Sequence, residues 1–507
     1  MSAHSRTIFF FVGGLGMELS RRRLFVGSAA TLLVGGFDPV TRLWTSVAQA
    51  DCDDRDRRRV RIPRLDGELV FDAASLATGA QDFGYVVSNT PWAVLRPASY
   101  RDVVAMVRFA NRYDLQIAMR GQAHSTLGQA QVAGGIVIDS RTLDAIHEIG
   151  PGGAVVDAGV VWRDLLLETT SVGLTPRVMT DYLGLSIGGV LSVGGVGGAA
   201  HKVGLVVDQC LELTVVTGEG ELEVCSATRN ATLFRSVLGG LGQFAIIVGA
   251  KIRLQPAFQL ARLYQMTFFD LATFSTAMRT MVADERFDFN EALAVPAGPG
   301  GSFVFILQAL KWFNPGSPPN DAALLAGLPA TPVPVEIQDL PYTAWCLRVD
   351  QNVAGWQAAG VWTTPHPWFD MFLPDNQVNT VVGNALAGLS PADLGAGVVI
   401  LYAFKRSRLT RPMVRMPPGG GDIIWLFDIL RFGATTPALA EAAIVSNRTL
   451  HNIGVAAGGK RYPISAVRVN PRDWIAHYGG SYPAVLHAKC EYDPRNVLTP
   501  GQRIFTR

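Results

Sequence analysis

The chain has 507 residues, of which 49% are hydrophobic and 17% charged; it is too apolar for a disordered protein and too long for one ordinary core, so two or three domains are expected. A net charge of +2 gives no bulk attraction to nucleic acid. Five cysteines, at positions 52, 210, 225, 346 and 490 with no CxxC pair, exclude a zinc ribbon and a disulfide-built scaffold.

Near the N-terminus, "LSRRRLFVGSAATLLVGG" sets Arg21, Arg22 and Arg23 before a moderately apolar run interrupted by Gly27, Gly35 and Gly36. "VAQA" before Asp51 supplies small residues for cleavage. Residues 1–50 read as a twin-arginine export signal, with a basic anchor or single membrane helix as the plainer alternative; the run is short for a span. Met17 offers a second start after residues 1–16. Export predicts a periplasmic or extracellular protein with no stable membrane span once the signal is removed. The mixed-charge run "DCDDRDRRRVR" reads as a solvated linker.

Compact α/β patterning begins near Phe71. "WAVLRPASYRDVVAMVRFANRYDLQIAMRG" reads as strand, turn, amphipathic helix and strand, with Val103, Val104, Val107 and Ala110 at helical spacing. Short strands and a helix follow, then "CLELTVVTGEGELEVCSA", two alternating runs joined by "TGEGE", a hairpin. "QFAIIVGAKIRLQPA" closes a first domain over residues 65–258. From 259 to 475 aromatic strands alternate with helical stretches such as "DLATFSTAMRTMVADE", with Pro-rich loops at 314–334 and 416–418, which predicts a second α+β domain. Within the tail, 476–507, the segment "YDPRNVLTPGQRIF" reads as loop-like and ending in a short strand.

Two Gly-rich blocks carry the chemistry. In "RGQAHSTLGQAQ", His124 stands among small and polar residues where little can be buried; alone it reads as a surface or capping residue. The second block, "TDYLGLSIGGVLSVGGVGGAAHKVG", has no GxxxxGK[ST] and only a loose dinucleotide fingerprint. Interleaved Leu185, Ser186, Ile187, Val190, Leu191, Ser192 and Val193 favour an ordered backbone against a flat or phosphorylated ligand, which glycine lets approach closely. By residue type alone, Asp181 is a turn cap and Glu291 an exposed-face carboxylate.

Together with "ELTVVTGEGELEVCSATRNATLFRSVLGGLGQFAII", "HPWFDMFLP" and "YDPRNVLTPGQRIF", these blocks resemble the cytokinin dehydrogenases, FAD enzymes of the vanillyl-alcohol-oxidase class, from about residue 83 to the C-terminus. The resemblance implies an α+β, two-domain FAD-linked oxidase fold: a PCMH-type FAD-binding domain, an α+β substrate-binding domain, and a tail returning to the first. The family motif R-G-x-G-H-S places His124 as the covalent FAD attachment, beside Ser125; Ala123 stands where the family has Gly, and a methyl group there would tighten the loop or demand φ below zero, which leaves non-covalent FAD as the alternative. Cofactor contacts carry over to Arg120, Gly121, Gln122, Ala123, His124, Ser125, Gln129, Asp181, Ser186, Ser192, Val196, Ile246, Tyr462 and Gln502. The resemblance makes Asp181 the catalytic base and sets Glu291 across the substrate. It implies oxidation of a secondary amine, as in an N6-alkenyl adenine, by hydride transfer to flavin N5, with oxygen or a quinone-like acceptor. His366 reads as structural, Trp425 as strand core, and Trp368 and Phe372 as core or pocket wall. The rivals are an alcohol or sugar oxidase on the same fold and a non-catalytic FAD-binding protein; a berberine-bridge type lacks the needed Cys near Tyr182.

Overall fold

The computed structural model describes residues 34–38, 42–46, 61–297, 302–434 and 436–505. The arginines of the export motif, the "VAQA" segment and Cys52 lie outside them. Within the region assigned to the signal, strands Val34–Asp38 and Leu43–Ser46 pair antiparallel, and the buried Phe37 ring lies 5.7 Å from Phe109.

Ser99 and Asp102 form a capping box at the start of helix Tyr100–Arg112, satisfying backbone donors that a first turn leaves free. The buried Asp102 also accepts from the backbone N–H groups of Asp66 (2.6 Å) and Gly67 (2.9 Å), so one carboxylate fixes both the helix and the incoming chain. Val103, Met106, Val107 and Ala110 share the buried face. They cover a four-stranded sheet in the order Glu68–Val70, Ala93–Arg96, Ile136–Asp139, Ile117–Arg120, whose last three strands run parallel. Strand Ile117–Arg120 delivers the chain into the 121–131 loop at its carboxyl end, the side of a parallel sheet where ligands dock.

The C-terminal segment covers the open edge of that strand. Ile117 N donates to Val497 O (2.8 Å) and Thr499 N to Ile117 O (2.7 Å). Helix Tyr482–Tyr492 leads into the tail segment, which is loop-like as expected but has a single bridge between Leu498 and Ile117 and a 3-10 turn at Pro500–Gln502 in place of the expected short strand. Pro500 lacks the N–H that would extend the ladder. The Pro-rich 314–334 loop likewise contains a short helix, Asp321–Leu325, because Asn320 caps it by accepting from Ala323 N (3.1 Å).

A second sheet of this domain is antiparallel, in the order Leu222–Ser226, Cys210–Thr217, Ala245–Ile252, Gly153–Asp157, Ile146–Gly150. Its first two strands are the expected hairpin, turned at Gly220 with φ +77°. The second domain is built on eight antiparallel strands, in the order Glu336–Pro341, Leu260–Phe268, Phe303–Phe313, Phe289–Pro296, Val398–Lys405, Ile423–Leu430, Phe369–Pro374, Lys460–Arg461. Period-two alternation sorts the faces. Leu401, Ala403, Trp425 and Phe427 share a core with helices Leu271–Asp284 and Val378–Ala387, while Tyr402, Phe404 and Leu426 belong to the core that also holds Ile187 and Val190 of the first domain. Both faces being buried, "IIWLFDIL" is apolar along its length except for Asp428. The fold is α+β in two domains, and the domain interface is where the ligand-bearing blocks meet.

Candidate active site

Backbone pairing holds the His124 loop. Phe83 N donates to Ala123 O (2.8 Å) and Gly84 N to Ser125 O (3.0 Å). The buried Asp82 accepts from Ser125 Oγ (2.9 Å) and Gly128 N (2.6 Å). Gln129 Nε2 reaches across to the carbonyls of Ile464 (3.4 Å) and Ser465 (3.3 Å) in the second domain. Ala123 has φ +54°, so of the two expected effects of its methyl group, a φ below zero is not adopted. The surrounding bonds impose the left-handed conformation on alanine, which costs about 1–2 kcal/mol. At Gly121 a Cβ would sit 2.0 Å from Ser186 Oγ, so the two Gly-rich blocks touch there.

The His124 ring stacks on Phe83 at 3.9 Å, and Phe83 stacks in turn on His366 at 4.1 Å. The Nε2 atom of His124 is buried without a hydrogen-bond partner. Burial, and then the neighbouring His366, push its pKa down to about 3, so the imidazole is neutral with a free lone pair at any working pH. His366 is fully buried, its Nδ1 lying 2.7 Å from Phe83 O, a structural role as expected. Trp425 is likewise core, with Nε1 donating to Asp375 Oδ1 (2.7 Å). Phe372 is core, whereas Trp368 lines the cavity.

The acids converge from separate elements. Asp181 lies at the start of the second Gly-rich block; Glu291 is on strand Phe289–Pro296. Arg348, first residue of helix Arg348–Ala358, bridges them: its Nη2 donates to Asp181 Oδ1 (2.7 Å) and to Glu291 Oε2. Tyr402 OH donates to Glu291 Oε1 at 3.3 Å. The guanidinium lies 4.2 Å from the Trp345 ring centroid, where a cation is held by the ring face. Burial raises both carboxyl pKa values against the opposing pull of Arg348. Glu291 is pushed up to about 7 by burial and the Asp181 charge, and Asp181 is raised by burial. Two carboxyl groups sharing one cation in a dry site titrate as a coupled unit.

One cavity of about 990 Å³ joins these groups, at the upper end of the roughly 300–1,000 Å³ typical of ligand pockets. Arg120, Gly121, Gln122, Ala123, His124, Ser125, Gln129, Asp181, Ser186, Ser192, Val196, Ile246, Glu291, Tyr462 and Gln502 all line it. Their side chains divide by task. Arg120 donates to the carbonyls of Thr78 and Gln81, Ser192 Oγ to Gly188 O (2.7 Å), and Tyr462 OH accepts from Gly195 N (3.1 Å); these shape the wall. Gln502 Oε1 and His124 Nε2 are buried and unpartnered, as groups awaiting a ligand are. Sequence reasoning missed Arg348, Trp345, Trp356, Trp362, Asp370 and Asp428 on the same cavity. The one charge in an apolar strand was a usable signal for Asp428; nothing local marks Arg348.

Two family models match the chain: "FAD binding domain" over residues 91–226 and "Cytokinin dehydrogenase 1, FAD and cytokinin binding" over residues 305–505. An uncharacterized oxidoreductase of the fasciation locus of Rhodococcoides fascians is 34% identical over 434 residues, 85% of this chain and 98% of that protein. Cytokinin dehydrogenase 4 of Oryza sativa subsp. japonica is 33% identical over 490 residues, 88% of this chain and 91% of its own. The chain belongs to the cytokinin dehydrogenase family. Its fold is also that of 6-hydroxy-D-nicotine oxidase from Arthrobacter nicotinovorans, with TM-score 0.67 at 21% identity over 86% of this chain and 96% of that one. A VAO-type flavoprotein from Myceliophthora thermophila C1 gives TM-score 0.65 at 20% identity over 81% and 79%. As a member of the cytokinin dehydrogenase family the protein is an FAD-dependent oxidoreductase with a PCMH-type FAD-binding domain. The unpartnered His124 and Gln502 atoms on the cavity fit that cofactor.

Proposed function

We propose that this enzyme oxidises a secondary amine of the N6-alkenyl adenine type, with FAD attached through His124. The observation that carries the reading is the Asp181–Arg348–Glu291 cluster beside the attachment histidine: the Tyr182 ring, next in chain to Asp181, lies 5.4 Å from the His124 ring. Bound FAD supplies the two-electron oxidant. Asp181 accepts the amine proton at a carboxylate oxygen, which requires it ionised, and the Arg348 guanidinium favours that state. Glu291, near its midpoint at neutral pH, hydrogen-bonds the substrate from the facing strand. Trp345, Trp356, Trp362, Trp368 and Phe432 line the cavity; they supply flat apolar faces for a ring and exclude water. His124, uncharged and with an unpartnered nitrogen, suits covalent attachment.

Anaerobic flavin bleaching against N6-substituted adenines, sugars and alcohols tests the substrate class; bleaching by sugars alone overturns it. Acid-precipitated protein should keep its yellow colour in the pellet, and His124→Ala should release it to the supernatant. One observation favours the rival alcohol or sugar oxidase: Asp370 and Asp428 add polar groups to the cavity. Oxygen or a quinone-like molecule reoxidises the flavin. The twin-arginine motif proposes an exported protein, and replacing Arg21, Arg22 and Arg23 by Lys should trap it in the cytoplasm.

A further inference from the structure

A second, smaller chamber of about 40 Å³ lies against the acid cluster. It shares Thr180, Asp181, Trp345 and Arg348 with the main cavity, whereas Glu291 lines the main cavity alone. Of the two acids, only Asp181 borders both spaces. Its side chain is 16% exposed, against 5% for Glu291. The chamber wall is built from residues 176–181 and from helix Tyr342–Cys346.

Water fits this space. A buried water needs roughly 10–15 Å³ and about two to four polar partners. Trp345 Nε1 is buried without a hydrogen-bond partner, and such an atom in a native fold is nearly always satisfied by something. Asp181 and Arg348 add a carboxyl and a guanidinium, and Tyr342 adds a hydroxyl that lies 2.9 Å from Thr175 Oγ1. Arg177, Met179 and Ala199 on the same chamber are only half-buried, which brings solvent within reach of it.

The reaction requires an exit of this kind. In the amine-oxidase reading the electron pair leaves the substrate with the hydride, and the amine proton stays on Asp181. The next turnover needs that carboxyl ionised again. On the main-cavity side, a seated substrate and the aromatic walls close Asp181 off from solvent. A proton does not cross apolar surface; it passes between hydrogen-bonded atoms about 2.6–3.2 Å apart, or through a water.

We propose that the chamber behind Asp181 is the proton exit of the enzyme. The carboxyl O–H bond breaks, a chamber water takes the proton and hands it to bulk solvent, and the carboxylate is restored; no electrons move in this step. The Trp345 indole N–H holds that water. The inference rests on the amine-oxidase reading only in taking Asp181 as the base, and an alcohol's hydroxyl proton would leave by the same path.

Ala199 lines the chamber and not the main cavity, so Ala199→Leu fills the one without altering the other; Ala199→Val is the milder variant should leucine prevent folding. The measurement is an anaerobic single turnover of FAD-loaded enzyme in weak buffer, with an N6-alkenyl adenine or whichever alcohol or sugar bleaches the flavin. Flavin absorbance reports reduction, and a pH-indicator dye reports the proton in bulk water. In wild type the two signals should coincide. In the variant, bleaching should stay within about twofold of wild type while the dye response lags it by about tenfold or more, and the lag should lengthen in heavy water. A dye response that keeps pace with bleaching in the folded variant overturns the proposal. So do equal delays of both signals, which would mean that Asp181 itself is disturbed, and wild-type bleaching with no dye response, which leaves the proton inside the protein. The base reading is tested apart from this: an Asp181→Asn enzyme that bleaches at the wild-type rate sinks it, whereas coincident signals in Ala199→Leu with a slow Asp181→Asn sink only the exit.

Discussion

The two ends of the cavity are built on opposite principles. Around His124 the loop is held by backbone hydrogen bonds and stacked rings, and its imidazole stays uncharged. Around Asp181 and Glu291 the groups come from distant segments, are titratable, and depend on one arginine. The first arrangement fixes a position and resists protonation. The second raises both carboxyl groups above the ordinary carboxylate range by burial, against the pull of one arginine. An enzyme that anchors a cofactor at one end and takes a proton at the other needs both.

Asp181→Asn strikes the titrating end hardest. Anaerobic flavin reduction by an N6-alkenyl adenine should slow by about 10²–10⁴ with FAD content near wild type; an unchanged rate would return Asp181 to a capping role and leave Glu291 as the remaining candidate base. Arg348→Met comes next. Without the guanidinium, the Asp181 carboxyl moves further up. Because the base works ionised, the acid limb of the reduction-rate profile should shift to higher pH. Breaking a buried ion pair also costs about 3–5 kcal/mol, to be read in denaturant melts; Arg348→Lys should restore part of the profile. A profile that does not move would show that Arg348 only fills space. The anchoring end predicts the smallest effect. Ala123→Gly removes the left-handed strain and should stabilise the holoprotein by at most about 1 kcal/mol, with FAD content unchanged. A destabilised Gly variant would mean that the methyl group packs usefully.

The same contrast explains what was legible in the sequence. The His124 loop is contiguous, and its residue types follow from local demands: small side chains, a tight turn, a nitrogen left free. Helix Tyr100–Arg112 announced itself through its period and cap. The acid cluster is legible one residue at a time, since Asp181 and Glu291 are identified only through the family blocks around them. Arg348 was invisible, because its role is created by tertiary folding of a helix whose own sequence, "RVDQNVAGWQA", has no distinguishing period. Ala123 was misjudged for the same reason: local preference set its expected φ, and the surrounding hydrogen bonds overrode it.

The cofactor cradle is completed by the end of the chain. Thr499 and Gln502 line the cavity, Leu498 bridges Ile117, and Trp474 Nε1 donates to Gln502 O (3.0 Å). This wall exists only once residues 498–502 have folded back onto strand Ile117–Arg120, so docking of that segment and binding of the flavin stabilise each other, and loss of either loosens the other.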